Sequence, residues 1–312
     1  MKGLTIGHYS DFDNLTGCTV FLFKKKNRAI ASVRGGAPGS RELNTLAPGQ
    51  LVEEVNAIVF SGGSAPGLGS MEGAVQFLRE RGIGYHTKVA PIPIVAGGVI
   101  YDLEVGNTAF PQPEWVYMAC SQARENTDEG SVGIGTGATV GKSAGIQYAM
   151  KSGFGWGIST LPGGSIQTFV VTNALGDIYH PDTGEILAGR RNKAGEIVGF
   201  LKDFQLRSRS SSFFNTTLVL VVLDFFFSRE DLLMLSHVVH SALATCIRPY
   251  ATLYDGDTIF MVSMGESRCH YLAVLQGLYQ SVTEAVLHSV LLSQGVPGLP
   301  SRSDIIKDMN RQ

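Results

Sequence analysis

Short apolar runs punctuated by glycine and proline fill the first 200 residues. Residues 19–23, 57–60 and 92–95 read as strands, and residues 167–171 as another that leads into Thr172-Asn173. Residues 70–81 carry Met71, Ala74, Val75 and Leu78 on one helical face, with Gly82 as the stop. Further on, Leu218 to Leu223 are apolar without interruption, as a strand buried on both faces would be. Ser228-Arg229-Glu230-Asp231 has capping-box chemistry, and Leu232, Leu235, Val239, Ala242 and Cys246 then follow at helical spacing. The stretch YATLYDGDTIFMVSM predicts a strand pair turning at Asp255-Gly256. A long helix, about residues 271–293, ends ahead of Gly295 and Pro297. No period repeats. A chain of 312 residues can form one or two domains, and the mixture of strands and helices points to an α/β class.

One tract breaks the pattern. Residues 185–212 are rich in basic, glycine and serine residues with little periodicity, which predicts a mobile surface segment or linker. It meets the apolar strand at Asn215-Thr216-Thr217. An amide and two hydroxyls are an unusual entrance to a strand that is otherwise wholly apolar.

Composition narrows the function classes. Charged residues make up 17% of the 312 and the net charge is −2, so no basic footprint marks nucleic acid or an anionic membrane as a partner. The 38 glycines exceed the average usage of roughly 7% and announce tight turns and close backbone approaches. Cys18, Cys120, Cys246 and Cys269 form no CxxC and no paired framework, which fits reduced core thiols. The opening MKGLTIGHYSDFD lacks the apolar stretch of a secretory signal. The apolar run from Leu218 to Phe227 is broken by Asp224 and falls short of the roughly 20 residues that span a membrane. The expectation is a cytoplasmic protein without a membrane segment.

Two motifs offer false leads. GIGTGATVGKS (133–143) lacks the glycine spacing of a phosphate-binding P-loop, because Thr136 stands where a glycine is needed. As a dinucleotide fingerprint it lacks the acidic residue about 20 positions on, since no Asp or Glu lies between Ser131 and Gly176. It reads as a glycine turn that leaves Lys142 free for chemistry. His237 and His240 stand i, i+3 on a helix, but no second ligand cluster matches them, so a solvated or hydrogen-bonded helix face is the reading. No cofactor and no metal are expected.

The seam has a chemical reading. A threonine hydroxyl needs a base to become a nucleophile, and a free α-amino group on the same residue can supply one. Freeing that amine requires cleavage of the Asn215–Thr216 bond, which the Thr216 hydroxyl can begin by attacking its own preceding carbonyl. Asp255 and Asp257 flank Gly256 in DGDTIF, 39 residues beyond Thr216. Two neighbouring carboxylates perturb each other's ionisation, and one can orient or accept a proton.

Several segments then carry a family resemblance in order: TGCTV, VRGGAPGSREL (33–43), FSGGSAPGLGSMEGAVQFLRERGIG (60–84), VIYDL (99–103), VGIGTGATVGK (132–142), VVTN (170–173), NTT (215–217) and DGDTIF (255–260). Over nearly its whole length the chain resembles the self-processing P1-family peptidases: the L-aminopeptidase/D-esterase group, the β-peptidyl aminopeptidases and the nylon-oligomer hydrolase. The resemblance implies an αββα-type sandwich like that of N-terminal-nucleophile hydrolases. It implies cleavage into an α chain, 1–215, and a β chain, 216–312, that together form one domain. Thr216 would be the nucleophile, with Asp255 and Asp257 supporting its hydroxyl and amine. Asn173 would contribute to the oxyanion hole, and Lys142 and Tyr101 would line the pocket. The implied activity is aminopeptidase or amide hydrolysis through an acyl-threonine intermediate. Its substrates would be short peptides, amino-acid amides or amino-acid oligomers, and the αβ units would form a homo-oligomer. The chain departs from the family in its bulky Leu223-Asp224-Phe225-Phe226-Phe227 and in Ala251, where relatives often carry histidine. An acyltransferase of the ornithine acetyltransferase type and a non-catalytic scaffold are the alternatives.

Overall fold

The computed structural model describes residues 1–201 and 215–309. Two five-stranded sheets lie face to face. One has the strand order Leu4–Asp11, Thr16–Phe23, Ala57–Ser61, Val95–Val99, Ser40–Arg41. The other runs Phe154–Leu161, Gly164–Asn173, Thr216–Leu223, Thr258–Ser263, Arg28–Val33. Between them Phe21, Phe60, Phe154, Phe169, Leu220 and Phe260 form an aromatic-rich core. Helices Glu72–Glu80 and Pro113–Ser121 cover the first sheet, where Met71, Ala74 and Val116 pack against Val20 and Val59. Helices Arg229–Cys246 and Tyr271–Leu291 cover the second. The layer order is helix, sheet, sheet, helix, as expected for an αββα sandwich.

The six-residue apolar run has a direct cause. Leu218, Leu220 and Val222 face the space between the sheets, while Val219, Val221 and Leu223 face the helices. Both faces are dry, so neither parity of the strand can be polar. The strand pairs antiparallel with Gly164–Asn173, with Asn173 opposite Thr216. It pairs parallel with Thr258–Ser263, with Leu218 opposite Thr258. A parallel neighbour requires a crossover, which the Arg229–Cys246 helix provides. That helix starts on the expected capping box: the Ser228 hydroxyl accepts from Asp231 N at 3.1 Å, and the Asp231 carboxylate accepts from Ser228 N at 3.3 Å.

Several expectations need correction. The strand placed at 92–95 divides into the short Pro91–Ile92 and the sheet strand Val95–Val99, because Pro93 has no N–H to give a ladder. In the latter strand a Cβ on Gly97 would lie 2.1 Å from the Val59 carbonyl oxygen, so the unpromising sequence VAGGV is there to admit close packing. The helix at 70–81 begins earlier, as the turns Ser64–Gly67 and Leu68–Met71, before Glu72–Glu80; Gly82 ends it with φ +65°. Asp255-Gly256 is no hairpin. Thr258–Ser263 takes its partners from distant strands, while Ile247–Arg248 pairs with Asp177–Tyr179. Part of the tract expected to be mobile is built into the fold: Ile186–Ala188 pairs with Asp177–Tyr179, and the buried Asp177 carboxylate accepts from Arg190 N at 2.8 Å and Phe200 N at 2.5 Å. Residues 202–212 of that tract lie outside the described residues.

Phe169 is fully buried, its ring 5.2 Å from Phe21 and 6.3 Å from Phe154. Phe169→Ala should lower unfolding free energy by about 3–5 kcal/mol, through lost transfer energy and the cavity left behind. Urea denaturation followed by fluorescence measures it; a loss below about 1 kcal/mol would mean that the inter-sheet core repacks freely.

Candidate active site

The pairing of Thr216–Leu223 with both neighbours places the seam at one end of the second sheet. Asn173 stands directly across from Thr216, and Asn215 bridges Asp255 on the other side. The Asn215 carbonyl oxygen is gripped from two directions. The Thr216 hydroxyl lies 2.5 Å from it and the Gly256 N–H donates to it at 2.8 Å. Gly256 is glycine for a steric reason. A Cβ there would sit 2.5 Å from the Ala37 carbonyl oxygen and 2.9 Å from the Thr216 hydroxyl. The Asn215 side chain is buried, and neither its oxygen nor its nitrogen has a hydrogen-bond partner among the described residues.

The two aspartates are both 1% exposed but face different surroundings. Asp255 accepts from Thr252 N at 2.9 Å, from the Thr252 hydroxyl, and from Leu175 N at 3.5 Å. Asp257 accepts from Thr217 N at 2.6 Å and Ala251 N at 3.1 Å. Burial, reinforced by the charge of Asp255, pushes the Asp257 carboxyl well above the usual range, and the two N–H donors offset only part of that. The Thr216 hydroxyl has one proton and spends it on Asn215, so the aspartates shape the loop rather than hold the hydroxyl.

Across the strand, Lys142 Nζ donates to the Asn173 side-chain oxygen at 2.8 Å and to its carbonyl at 2.9 Å. Asn173 also accepts from Thr139 N at 3.2 Å and donates from Nδ2 to the Tyr101 carbonyl at 3.0 Å. Lys142 is 7% exposed, and burial lowers its ammonium to about 7 even though Asp255, Glu104 and Asp102 favour its charge. Burial, with the charge of Glu104, raises the Tyr101 phenol. Thr216, Asp255, Asp257, Asn173, Lys142 and Tyr101, all named from the sequence, therefore converge at this end of the sheet.

Three contributors escaped the sequence reading. Gly256 matters through its backbone N–H, which no side-chain motif announces. Asp102 is buried beneath the site, accepts from the Thr16 hydroxyl at 2.6 Å and Gly63 N at 2.7 Å, and is raised to about 6 by burial. Its signal was its place beside Tyr101 in VIYDL. Lys151 is wholly buried, with Nζ donating to the carbonyls of Gly135, Ala138 and Ser152 at 2.8, 3.1 and 2.6 Å. The glycine-rich segment thus turns carbonyls toward a cation. A phosphate cradle presents N–H groups, so the geometry has the wrong polarity for a nucleotide. Among the described residues, no group of three or more His, Cys, Asp or Glu is gathered to hold a metal, and no helix is long and apolar enough to cross a membrane.

Comparison with known proteins supplies the family. The family model of peptidase family S58 matches residues 1–303. An uncharacterized aminopeptidase of Mycobacterium tuberculosis (strain H37Rv) is 33% identical over 97% of this chain and 96% of its own. The 6-aminohexanoate-oligomer endohydrolase of Paenarthrobacter ureafaciens is 28% identical over 85% of this chain and 74% of its own. Among solved structures, a Burkholderia β-aminopeptidase superposes with a TM-score of 0.71 at 16% identity, covering all of this chain and 92% of its own. The L-aminopeptidase D-Ala-esterase/amidase of Ochrobactrum anthropi, described as a variant of the Ntn-hydrolase fold, gives 0.71 at 15% identity over 96% and 87%. The fold is that of the Ntn-hydrolase-like aminopeptidases. The chain belongs to peptidase family S58, and is a hydrolase of peptide or amide bonds.

The lowered Lys142 has a thermodynamic signature. Between about pH 7 and 10.5 the folded amine is largely neutral while the unfolded chain keeps its proton. The unfolded state then binds more protons, so this group makes stability rise with pH across that window, by up to about 1.4 kcal/mol per unit. Lys142→Met should show a shallower rise in stability from pH 7 to 9.5 than the parent, by denaturant titration at each pH. Parallel curves would mean that Lys142 titrates normally.

Proposed function

We propose that the chain cleaves itself between Asn215 and Thr216, and that the freed Thr216 then hydrolyses short peptides, amino-acid amides or amino-acid oligomers through an acyl-threonine ester. The observation that carries this reading is the convergence of the Thr216 hydroxyl and the Gly256 N–H on one buried carbonyl oxygen, at 2.5 and 2.8 Å. In maturation, Thr216 Oγ adds to the Asn215 carbonyl carbon. The Gly256 N–H, already aimed at the oxygen, carries the charge that develops there. Collapse breaks the C–N bond, the Thr216 nitrogen leaves with the proton that the hydroxyl gave up, and an ester remains on Oγ. Water hydrolyses it, giving a carboxylate on Asn215 and a free amine on Thr216.

Turnover repeats the same geometry with a foreign carbonyl in the place of Asn215's. The Thr216 amine takes the hydroxyl proton, Oγ attacks, and the amine of the substrate leaves with a proton. Water then cleaves the acyl ester and restores the hydroxyl. The second N–H of Asn173 Nδ2, beyond the one given to Tyr101, is a further donor for the oxyanion. Lys142 is held against Asn173 and poised about 7, so it can exchange protons with the site at neutral pH.

The carboxylate that reads a substrate ammonium is best sought away from the aspartate pair. Asp255 and Asp257 are buried and committed to loop N–H groups. Glu104 is exposed, lies on the turn after Tyr101, and its charge acts on both Lys142 and Tyr101. It offers a free amino end an acceptor at the mouth of the site.

The purified protein should resolve on a denaturing gel into residues 1–215 and 216–312, the smaller reading Thr-Thr-Leu-Val by N-terminal sequencing. Thr216→Ala should stay whole, and Gly256→Ala should cut slowly, because its methyl displaces the N–H and crowds the hydroxyl. A Thr216→Ala protein cut at the same bond would assign the cleavage to another protease. For turnover, N-acetylation of an amino-acid p-nitroanilide should lower kcat/KM by roughly tenfold or more, the worth of one charge-assisted contact. Glu104→Gln should narrow that difference. Equal kcat/KM for free and acetylated substrates would make the enzyme a general amidase that ignores the amine.

A further inference from the structure

His240 was expected on a solvated or hydrogen-bonded helix face. The structure gives it the second fate and His237 the first. His240 is 3% exposed and sits between two hydroxyls: Nε2 lies 3.0 Å from the Ser32 hydroxyl and Nδ1 lies 2.8 Å from the Tyr250 hydroxyl. Burial, with Arg34 and His237 nearby, holds the ring neutral, its ionisation lowered to about 3. A neutral imidazole donates from one nitrogen and accepts at the other, so either tautomer links both hydroxyls.

The next residue after Tyr250 shows what the link holds. Ala251 has φ +56°, a left-handed conformation that is unfavourable for a non-glycine residue and is kept where the surroundings impose it. In that conformation its N–H points at Asp257 Oδ2, 3.1 Å away. The alternation of Thr258–Ser263 puts Ile259 and Met261 against the Arg229–Cys246 helix, and Asp257 shares their parity. His240, Tyr250 and Asp257 therefore occupy the helix side of the sheet, behind the Thr216 side chain, which shares the inter-sheet parity of Leu218.

We propose that Ser32, His240 and Tyr250 form a positioning chain that clamps the 249–257 loop, holds Ala251 left-handed, and so fixes Asp257 and the Gly256 N–H against the Asn215–Thr216 bond. In its effect on catalysis the inference rests on the reading of Thr216 as nucleophile; in its effect on the loop it does not. The charged and titratable groups around the chain are Arg34 beside the ring and the phenol, His237 on the same helix, and Asp255 and Asp257 beside the phenol. None is substituted in the test.

Two readouts separate positioning from simple packing. Asn at 240 keeps a polar atom near the Nδ1 position that meets Tyr250, whereas Gln keeps one near the Nε2 position that meets Ser32. If the clamp works through Tyr250, His240→Gln and Tyr250→Phe should share a defect that His240→Asn largely escapes. Amide hydrogen exchange at Ala251 and Thr217, the two donors to Asp257, should speed up at least tenfold in the first two variants and much less in the third. The rates of self-cleavage and kcat should fall by about tenfold in the same pair, with KM little changed, as expected for a misplaced catalytic loop. Adding Ala251→Gly to Tyr250→Phe should recover part of kcat, because glycine needs no clamp to stay left-handed. Exchange at Ala251 that is unchanged in Tyr250→Phe overturns the proposal outright. So does a His240→Gln protein that outperforms His240→Asn, which would make Ser32 the partner that matters. Altered exchange with no change in cleavage or turnover overturns the clamp's catalytic effect, whereas failure of the nucleophile reading shows separately, as a Thr216→Ala protein still cut at the same bond.

Discussion

The parallel pairing of Thr216–Leu223 with Thr258–Ser263 is the constraint on which the site depends. It aligns the start of one strand with the approach to the other, so that Asn215 lies against Asp255 and the Gly256 N–H meets the Asn215 carbonyl. A parallel pair cannot be closed by a tight turn. Its register is therefore set by the crossover helix and by two dry faces, and a slip of one residue would turn Leu218, Leu220 and Val222 out of the inter-sheet core. Rigid packing behind the strand is what allows one peptide bond at its end to be held in a fixed relation to a hydroxyl and an N–H.

Around that bond the protein buries charge in a particular way. Lys142 and Lys151 are both enclosed, and both are lowered to about 7 by burial; Asp102 and Asp177 are raised to about 6 by the same cause. Each is wrapped in hydrogen bonds from the main chain or from neighbouring side chains. Lys151 and Asp177 use theirs to organise backbone, one gathering the carbonyls of the glycine-rich segment and the other binding the N–H groups of Arg190 and Phe200. Lys142 differs because it reaches Asn173, across the ladder from Thr216. The same desolvation gives two buried lysines similar proton affinities, and position alone gives one of them access to the chemistry.

Much of the site was legible in the chain. Asn215-Thr216-Thr217 stood out because polar residues interrupt the start of a continuous apolar strand, and DGDTIF because two carboxylates flank a glycine. Lys142, Asn173 and Tyr101 were assigned through the family resemblance, and the fold brings all of them to one end of one sheet. The reading failed where local rules were outvoted. Asp255-Gly256 has the composition of a hairpin turn, but Thr258–Ser263 pairs with Thr216–Leu223 and Arg28–Val33, both more than 30 residues earlier in the chain, which leaves no hairpin partner. His240 looks like His237 in sequence; one is buried and the other exposed because only one faces the sheet.

Residue type and spacing by themselves determined the alternation of strands and helices, the two-sided burial of the central strand, and the presence of a hydroxyl at its start. These follow from periodicity and side-chain chemistry, which act over a few residues. The tertiary structure alone decided that a glycine N–H completes the site, that Asp257 lies behind the sheet, and that Ala251 is held left-handed above it. Backbone donors carry no sequence signature, and the face on which a residue lies depends on strand partners brought from far along the chain.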